Sequence, residues 1–193
     1  MYDDYQGEIY FGGKKLCDIN IDNVRAKTGL LFQDFVKYEL SAKENVALGQ
    51  LDMIDDNDAI LQALMKTNMQ ERIKDLNTQL GFWFDGGTQL TGGEWLRVAL
   101  SRAFMRNADL FLLDEPNSAL DSVSERQILE SFKKLTQGKI GIIVSHRIAS
   151  IKNIADKIFV FDGGEIQATG THDELLKMSK TYRELYEHEN GIT

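Results

Sequence analysis

QLTGGEWLRVALSRAFMRNADLFLLDEPNSALD, residues 89–121, is the stretch on which the fold turns. It opens with the pair Gly92-Gly93, flanked by Thr91 and Glu94, at the start of a helical pattern carrying Val98, Ala99, Ala103 and Phe104. It then reaches a continuous apolar run, Leu110-Phe111-Leu112-Leu113, that ends in two carboxylates, Asp114 and Glu115. A helix feeding an apolar strand that ends in acids is how open α/β sheets build ligand sites at the carboxyl ends of their strands.

On the C-terminal side the pattern repeats. A polar helix is predicted from Ser122 to about Leu135, followed by a second apolar run, Ile140-Gly141-Ile142-Ile143-Val144. Two such runs joined by a helix predict a βαβ unit with parallel strands buried on both faces. Beyond it, Lys157 to Asp162 and Glu165 to Ala168 flank Gly163-Gly164, the signature of an antiparallel hairpin. Thr171 to Glu174 has capping-box spacing and is expected to open the last helix.

On the N-terminal side, residues 37 to about 90 read as helical. Ser41-Ala42-Lys43-Glu44 is another capping box, and Asp55 is placed to cap a second helix with Ile60, Leu61, Leu64 and Met65 on one face. Residues 1 to about 36 read as strands. Glu8 to Phe11 and Lys14 to Leu16 flank Gly12-Gly13, a hairpin signal, and Gly29 to Phe32 is a short apolar run ending at Gln33.

Composition narrows the function classes. The 193 residues carry 30 acidic against 22 basic side chains, a net charge of -8. That argues against a nucleic-acid partner, which requires a basic surface to displace counterions. A single cysteine, Cys17, excludes an internal disulfide and fits a reducing compartment. No apolar run approaches the roughly 18 residues of a membrane span, and the acidic N-terminus has no signal-peptide pattern.

Four groups carry candidate chemistry. Asp114 at a strand end suits Mg²⁺ held through water, and Glu115 suits orienting or deprotonating an attacking water; taken alone, they equally describe a strand followed by a solvated acidic turn. Gly92-Gly93 before a helix lets an anion approach the N-terminal amides, although Thr91 is also an ordinary helix cap. His146, directly after the second strand, can donate to a transferring phosphate, or simply be a partly buried histidine satisfied by backbone. The amide of Gln33 can ligate Mg²⁺ or the attacking water, whereas most lone glutamines are surface residues.

In this order the motifs resemble the nucleotide-binding domain of ABC transporters. Gln33 matches the Q-loop, Thr91 to Glu94 the signature motif, Phe111 to Asp114 Walker B, Glu115 the glutamate that follows it, Ser118 to Asp121 the D-loop, and His146 the switch histidine. AKENVALG, KIFVFDGGEIQATGTHDELL and YRELYE resemble the exporter branch, and GEWLRVALSRAF is similar to peptide and lantibiotic exporters. Departures are small. Thr91 stands for the usual serine, Glu94 for glutamine, Asn117 for threonine, and Leu96 for a polar residue.

The resemblance implies an α/β, P-loop NTPase-like (RecA-like) parallel sheet core, with residues 1–36 and 91–193 in a core lobe and 37–90 in a helical subdomain. It implies ATP and Mg²⁺ as cofactors, with Glu115, His146 and Gln33 in catalysis and Asp114 and Gln33 on the metal. Thr91, Gly92, Gly93, Glu94 and Asp121 are implied to contact nucleotide. The implied partners are a second nucleotide-binding domain and the transmembrane domain of an exporter, which would place the chain in the cytoplasm on the inner face of the cell membrane. A chromosome-structural or repair ATPase shares several motifs, but residues 37–90 show no heptad run and the acidic charge disfavours DNA.

The family's phosphate loop, G-x-x-x-x-G-K-[ST], does not occur in these 193 residues. EIYFGGKK, residues 8–15, has Glu8 where the first glycine belongs and Lys15 where the hydroxyl belongs. The resemblance therefore places Met1 after that loop and implies an N-terminally truncated domain, whose Ile-, Leu- and Val-rich strands gain open edges. Hydrogen bonds to charged groups contribute about 1.5–3 kcal/mol each, so three lost donors remove about 5–9 kcal/mol. A whole micromolar affinity is about 8 kcal/mol. The chain alone is expected to bind Mg-ATP very weakly. The alternative reading is a non-catalytic fragment or interaction module that at most completes a partner's ATP site in trans.

Overall fold

A computed structural model of the chain describes residues 5–83, 85–116 and 122–191. Its centre is a parallel sheet of β3 (Thr28–Leu31), β4 (Leu110–Asp114) and β5 (Ile140–Val144), in that order. Leu31 lies opposite Leu113, and Leu113 opposite Ile143. The βαβ unit is as expected: β4 and β5 are neighbours joined through α5 (Ser122–Leu135).

One face of this sheet is covered by α4 (Gly92–Met105) and α5. Leu31, Phe111 and Leu113 are buried there with Leu96, Ala99, Leu100, Phe104, Ile128 and Phe132. Two glycines permit the close fit. A Cβ on Gly29 would stand 2.6 Å from the Phe111 ring, and one on Gly141 would stand 2.9 Å from Phe132. The opposite face differs from expectation. Ile140, Ile142 and Val144 of β5 are 62%, 47% and 55% exposed, because the described helices cover only one side. Among the described residues β5 is also the sheet's edge.

A second cluster gathers α2 (Ala42–Ala47), α3 (Asn57–Lys66), Met69, Ile73 and Leu80 around Trp95, Val98 and Met105 of α4, which thus serves both clusters. The Ser41–Glu44 capping box forms, while α3 is capped by Asp56 rather than Asp55; the Asp56 side chain accepts the Ala59 N–H at 3.0 Å. Buried Thr67 and Ser101 share a 2.7 Å hydrogen bond that ties the end of α3 to α4.

Residues 1–36 are not all strand. β1 (Tyr10–Phe11) and β2 (Lys14–Lys15) form the expected hairpin, but Ile21–Ala26 is a helix, α1, whose cap Asn20 accepts the Asp22 N–H. The C-terminal hairpin, β6 (Ile158–Asp162) and β7 (Glu165–Gly170), turns at Gly163 and Gly164, both at positive φ, as a tight hairpin turn requires. The Thr171–Glu174 box opens α7 (His172–Met178), but a further helix, α8 (Lys180–Glu189), follows, capped by Ser179. His172 Nδ1 meets the Tyr182 hydroxyl at 2.9 Å.

Candidate functional site

The parallel register brings the carboxyl ends of β3, β4 and β5 to one edge of the sheet. Gln33 lies exposed in a turn two residues past Leu31, whose partner Leu113 is followed by Asp114 and Glu115. Asp114, half-buried, is paired opposite Val144, and Ser145 and His146 follow. The ladder continues one step, since the Glu115 N–H donates to the Val144 carbonyl at 3.0 Å.

Glu115 then leaves the strand with φ +42°, a left-handed conformation that costs a residue with a Cβ roughly 1–2 kcal/mol. This turn carries its carboxylate across to β5, where Oε1 lies 3.4 Å from His146 Nδ1. The imidazole is 69% exposed, so His146 is not a buried, backbone-satisfied histidine. A short turn holds it, in which the Ser145 Oγ accepts the Arg147 N–H at 3.0 Å. Arg147 in turn forms a 2.6 Å ion pair with Glu125 of α5, which is 3% exposed. It also precedes α6 (Ile148–Ile151), whose Ala149 N–H donates to Glu189 of α8 at 3.1 Å.

The Thr91 segment forms its own arrangement. The Thr91 Oγ1 accepts the Glu94 N–H at 3.3 Å and the Glu94 carboxylate accepts the Thr91 N–H at 2.8 Å, a complete capping box. Arg72 braces it, donating to Glu94 Oε1 at 2.9 Å and to the Gln89 carbonyl at 2.9 Å. Burial pushes the Glu94 carboxyl up, but the Thr91 N–H, Arg72 and the Thr91 hydroxyl outweigh it and leave it below the ordinary value. Gly92 and Gly93 supply first-turn amides that no intrahelical carbonyl reaches. Among the described residues this segment bonds to Arg72 and within its cap, not to Asp114, Glu115 or His146. Asp121, with the rest of Ser118–Asp121, and Asn117 lie outside the described residues.

The donor set fits Mg²⁺ in one specific way. Asp114 and Gln33 offer hard oxygens, and Mg²⁺ is ordinarily held by one or two carboxylates plus the phosphates of a nucleotide rather than by an all-protein cage. The described residues contain no group of three or more His, Cys, Asp or Glu that could hold a metal ion. The strand ends thus suit an ion shared with a phosphate chain. Sequence reasoning missed the residues that brace the two segments. Arg72, Glu125 and Arg147 act across separations of about 20 residues, and no local pattern marks such pairs.

The chain is similar to known proteins. The family model for ABC transporters matches residues 1–118. The chain is 40% identical to the Subtilin transport ATP-binding protein SpaT of Bacillus subtilis, over 98% of this chain and 31% of that protein. It is 42% identical to the Nisin transport ATP-binding protein NisT of Lactococcus lactis, over 81% of this chain and 27% of that one. A solved structure of a bacterial Atm1-family ABC exporter with ATP bound superposes with a TM-score of 0.84 at 26% identity, covering 98% of this chain and 33% of that one. The chain therefore spans about a third of the length of these relatives. The family match extends over more than half of the residues and takes in both the Thr91 segment and the Asp114-Glu115 strand end, so this chain belongs to the ABC transporter family.

Proposed function

We propose that the chain forms part of an ATP-hydrolysing subunit that drives export across a membrane, with a peptide as cargo. The observation that carries this reading is the Glu115–His146 pair, set beside Asp114 at the carboxyl edge of a parallel sheet. The cargo class rests on relatives whose names specify subtilin and nisin transport.

In this reading Mg-ATP, when bound, supplies the phosphoryl group that water attacks. Glu115 accepts the proton of that water, and the imidazole of His146, once a second proton is on Nε2, donates a hydrogen bond from that nitrogen toward the terminal phosphate. Asp114 and Gln33 orient the metal and water. Thr91, Gly92, Gly93, Glu94 and Asp121 meet a nucleotide held by a second nucleotide-binding domain, a reading supported by the first-turn amides of α4, which favour an anion. Residues 37–90 form the helical subdomain, residues 1–36 and 91–193 the core lobe, and a membrane domain at the cytoplasmic face completes the transporter. No helix of the described residues is long and apolar enough to cross a membrane.

A phosphate loop is not among these 193 residues, so the nucleotide is held by a loop from another segment or chain, and this chain completes the site. The test is an equilibrium titration of the chain with a fluorescent ATP analogue and Mg²⁺, alone and mixed with a nucleotide-binding domain that carries its own phosphate loop. No saturation below millimolar for the chain alone is expected. Turnover is expected when the chain is joined to a phosphate-loop segment, falling at least ~100-fold there with Glu115→Gln, whereas in the mixture the Thr91 segment is expected to raise the partner domain's own turnover. Micromolar binding by the chain alone would refute completion in trans, and turnover indifferent to Glu115→Gln would refute the role of Glu115.

A further inference from the structure

We infer that Glu125 and Arg147 are positioning residues: their ion pair sets the His146 imidazole against the Glu115 carboxylate and ties it to the first turn of α5. The inference rests on reading Glu115 and His146 as the reacting end of the site.

Glu125 is 3% exposed, and its Oε2 lies 2.6 Å from Nη1 of Arg147. Its other oxygen, Oε1, has no hydrogen-bond partner among the described residues. A buried carboxylate held by one partner and only half satisfied is a poor stabiliser, since apolar side chains of similar volume would pack there without the desolvation cost. Its value lies in fixing a position. Arg147 comes one residue after His146, and its N–H closes the turn onto Ser145 Oγ at 3.0 Å. On the other side of the turn, Val144 is fixed by its carbonyl to the Glu115 N–H. His146 is therefore suspended between two anchored points, one on β4 and one on α5. Its exposed ring has the Glu115 carboxylate as its partner. A shift of α5 moves Glu125, then Arg147, then the imidazole.

The experiment is a long-range proton–nitrogen correlation spectrum of the imidazoles in the ¹⁵N-labelled chain, without nucleotide. It is recorded at about pH 8.5, where an ordinary imidazole is neutral. The chain has three histidines, and His146→Gln assigns the one in question. The wild-type His146 is expected to carry its proton on Nδ1, donated to Glu115. Glu125→Gln, Arg147→Gln and the double change Glu125→Leu with Arg147→Met are each expected to lose that signature, and Arg147→Lys to retain it. The double change separates positioning from stability, because an apolar pair restores packing without restoring the link. A near-ultraviolet dichroism spectrum unchanged from wild type together with a lost Nδ1–H signature supports the inference. A wild-type His146 signature in any folded variant lacking the ion pair overturns it, as does a wild-type ring protonated on Nε2. Because nucleotide is absent, these outcomes are independent of the ATP titration.

Discussion

The His146 Nδ1 stands 3.4 Å from the Glu115 Oε1, across the carboxyl ends of adjacent parallel strands. The contact depends on backbone conformation as much as on side chains. Glu115 donates its N–H to Val144 as the last rung of the ladder and then takes φ +42°, which carries the carboxylate toward β5 instead of continuing along β4. Local strain held at the point where the proposed chemistry occurs is a common feature of functional sites.

That strain is measurable. Glu115→Gly and Glu115→Ala both remove the carboxylate, but only glycine accepts the left-handed conformation without cost. Glycine's greater unfolded-state entropy, about 0.5–1 kcal/mol, offsets part of a relief of about 1–2 kcal/mol. The glycine variant is therefore expected to be more stable than the alanine variant by about 0.5–1 kcal/mol, read from urea unfolding midpoints. An alanine variant of equal or greater stability would show that Glu115 does not occupy the strained conformation.

Much of this architecture is legible in the residues themselves. β4 and β5 stand out because their apolar runs are continuous and bounded, and the two boxes at Ser41 and Thr171 stand out because a hydroxyl and a carboxylate three residues apart satisfy each other locally. The short helix α1 is hidden, since only Val24 of its six residues is buried and no amphipathic pattern develops. The break between α7 and α8 is hidden because Ser179 both ends one helix and caps the next, with no glycine or proline to mark it. At the strand ends, order along the chain is enough to place Asp114, Glu115 and His146 together. The positive φ of Glu115 and the Glu125–Arg147 pair arise from tertiary packing, so no local pattern announces them.

Packing between α2 and α4 supplies a second prediction. A Cβ on Gly49 would stand 1.9 Å from the Arg102 carbonyl oxygen and 2.8 Å from its carbon. These are backbone atoms of a helix and cannot rotate aside. Gly49→Ala is expected to cost at least about 2–3 kcal/mol, the upper range for overpacking. Gly138→Ala is the comparison. Its added carbon meets nothing within 4 Å, so only its positive φ is penalised, at about 1 kcal/mol. Thermal unfolding of the two variants should rank Gly49→Ala well below Gly138→Ala. The reverse order would mean that α2 and α4 do not approach this closely.

The cap of α4 should make stability depend on acid pH. Burial opposes ionisation of Glu94, but the Thr91 N–H and Arg72 prevail and hold the carboxyl below its ordinary 4.5. A carboxyl depressed in the folded state contributes stability that is fully present above the unfolded value and lost as pH falls through the folded one. Glu94→Gln keeps a side-chain acceptor for the cap but removes the charge. Wild type is expected to exceed Glu94→Gln in urea midpoint at pH 7, with the gap closing below about pH 4. A gap of the same size at both pH values would mean that the charge contributes nothing.

Alkaline pH should act through Tyr182. Burial, reinforced by Tyr186 and Glu189, pushes its phenol up to about 12 from an ordinary 10. The folded state favours the neutral phenol, so the associated stability is fully present below pH 10 and is lost as pH rises toward 12. The hydroxyl also meets His172 Nδ1 at 2.9 Å, linking α8 to α7. Ultraviolet difference spectra of the six tyrosines should show one ionising last, near pH 12, and Tyr182→Phe should remove that step. The variant should also lose about 1 kcal/mol of stability through the stranded His172 nitrogen. The effect reaches the site, because Glu189 of α8 accepts the Ala149 N–H at the start of α6, three residues beyond His146. Loosening α8 at high pH should therefore increase hydrogen exchange at Ala149 before the β4–β5 ladder opens. Persistence of the last tyrosine step in Tyr182→Phe would refute the assignment, and simultaneous opening of α6 and the ladder would refute the link through α8.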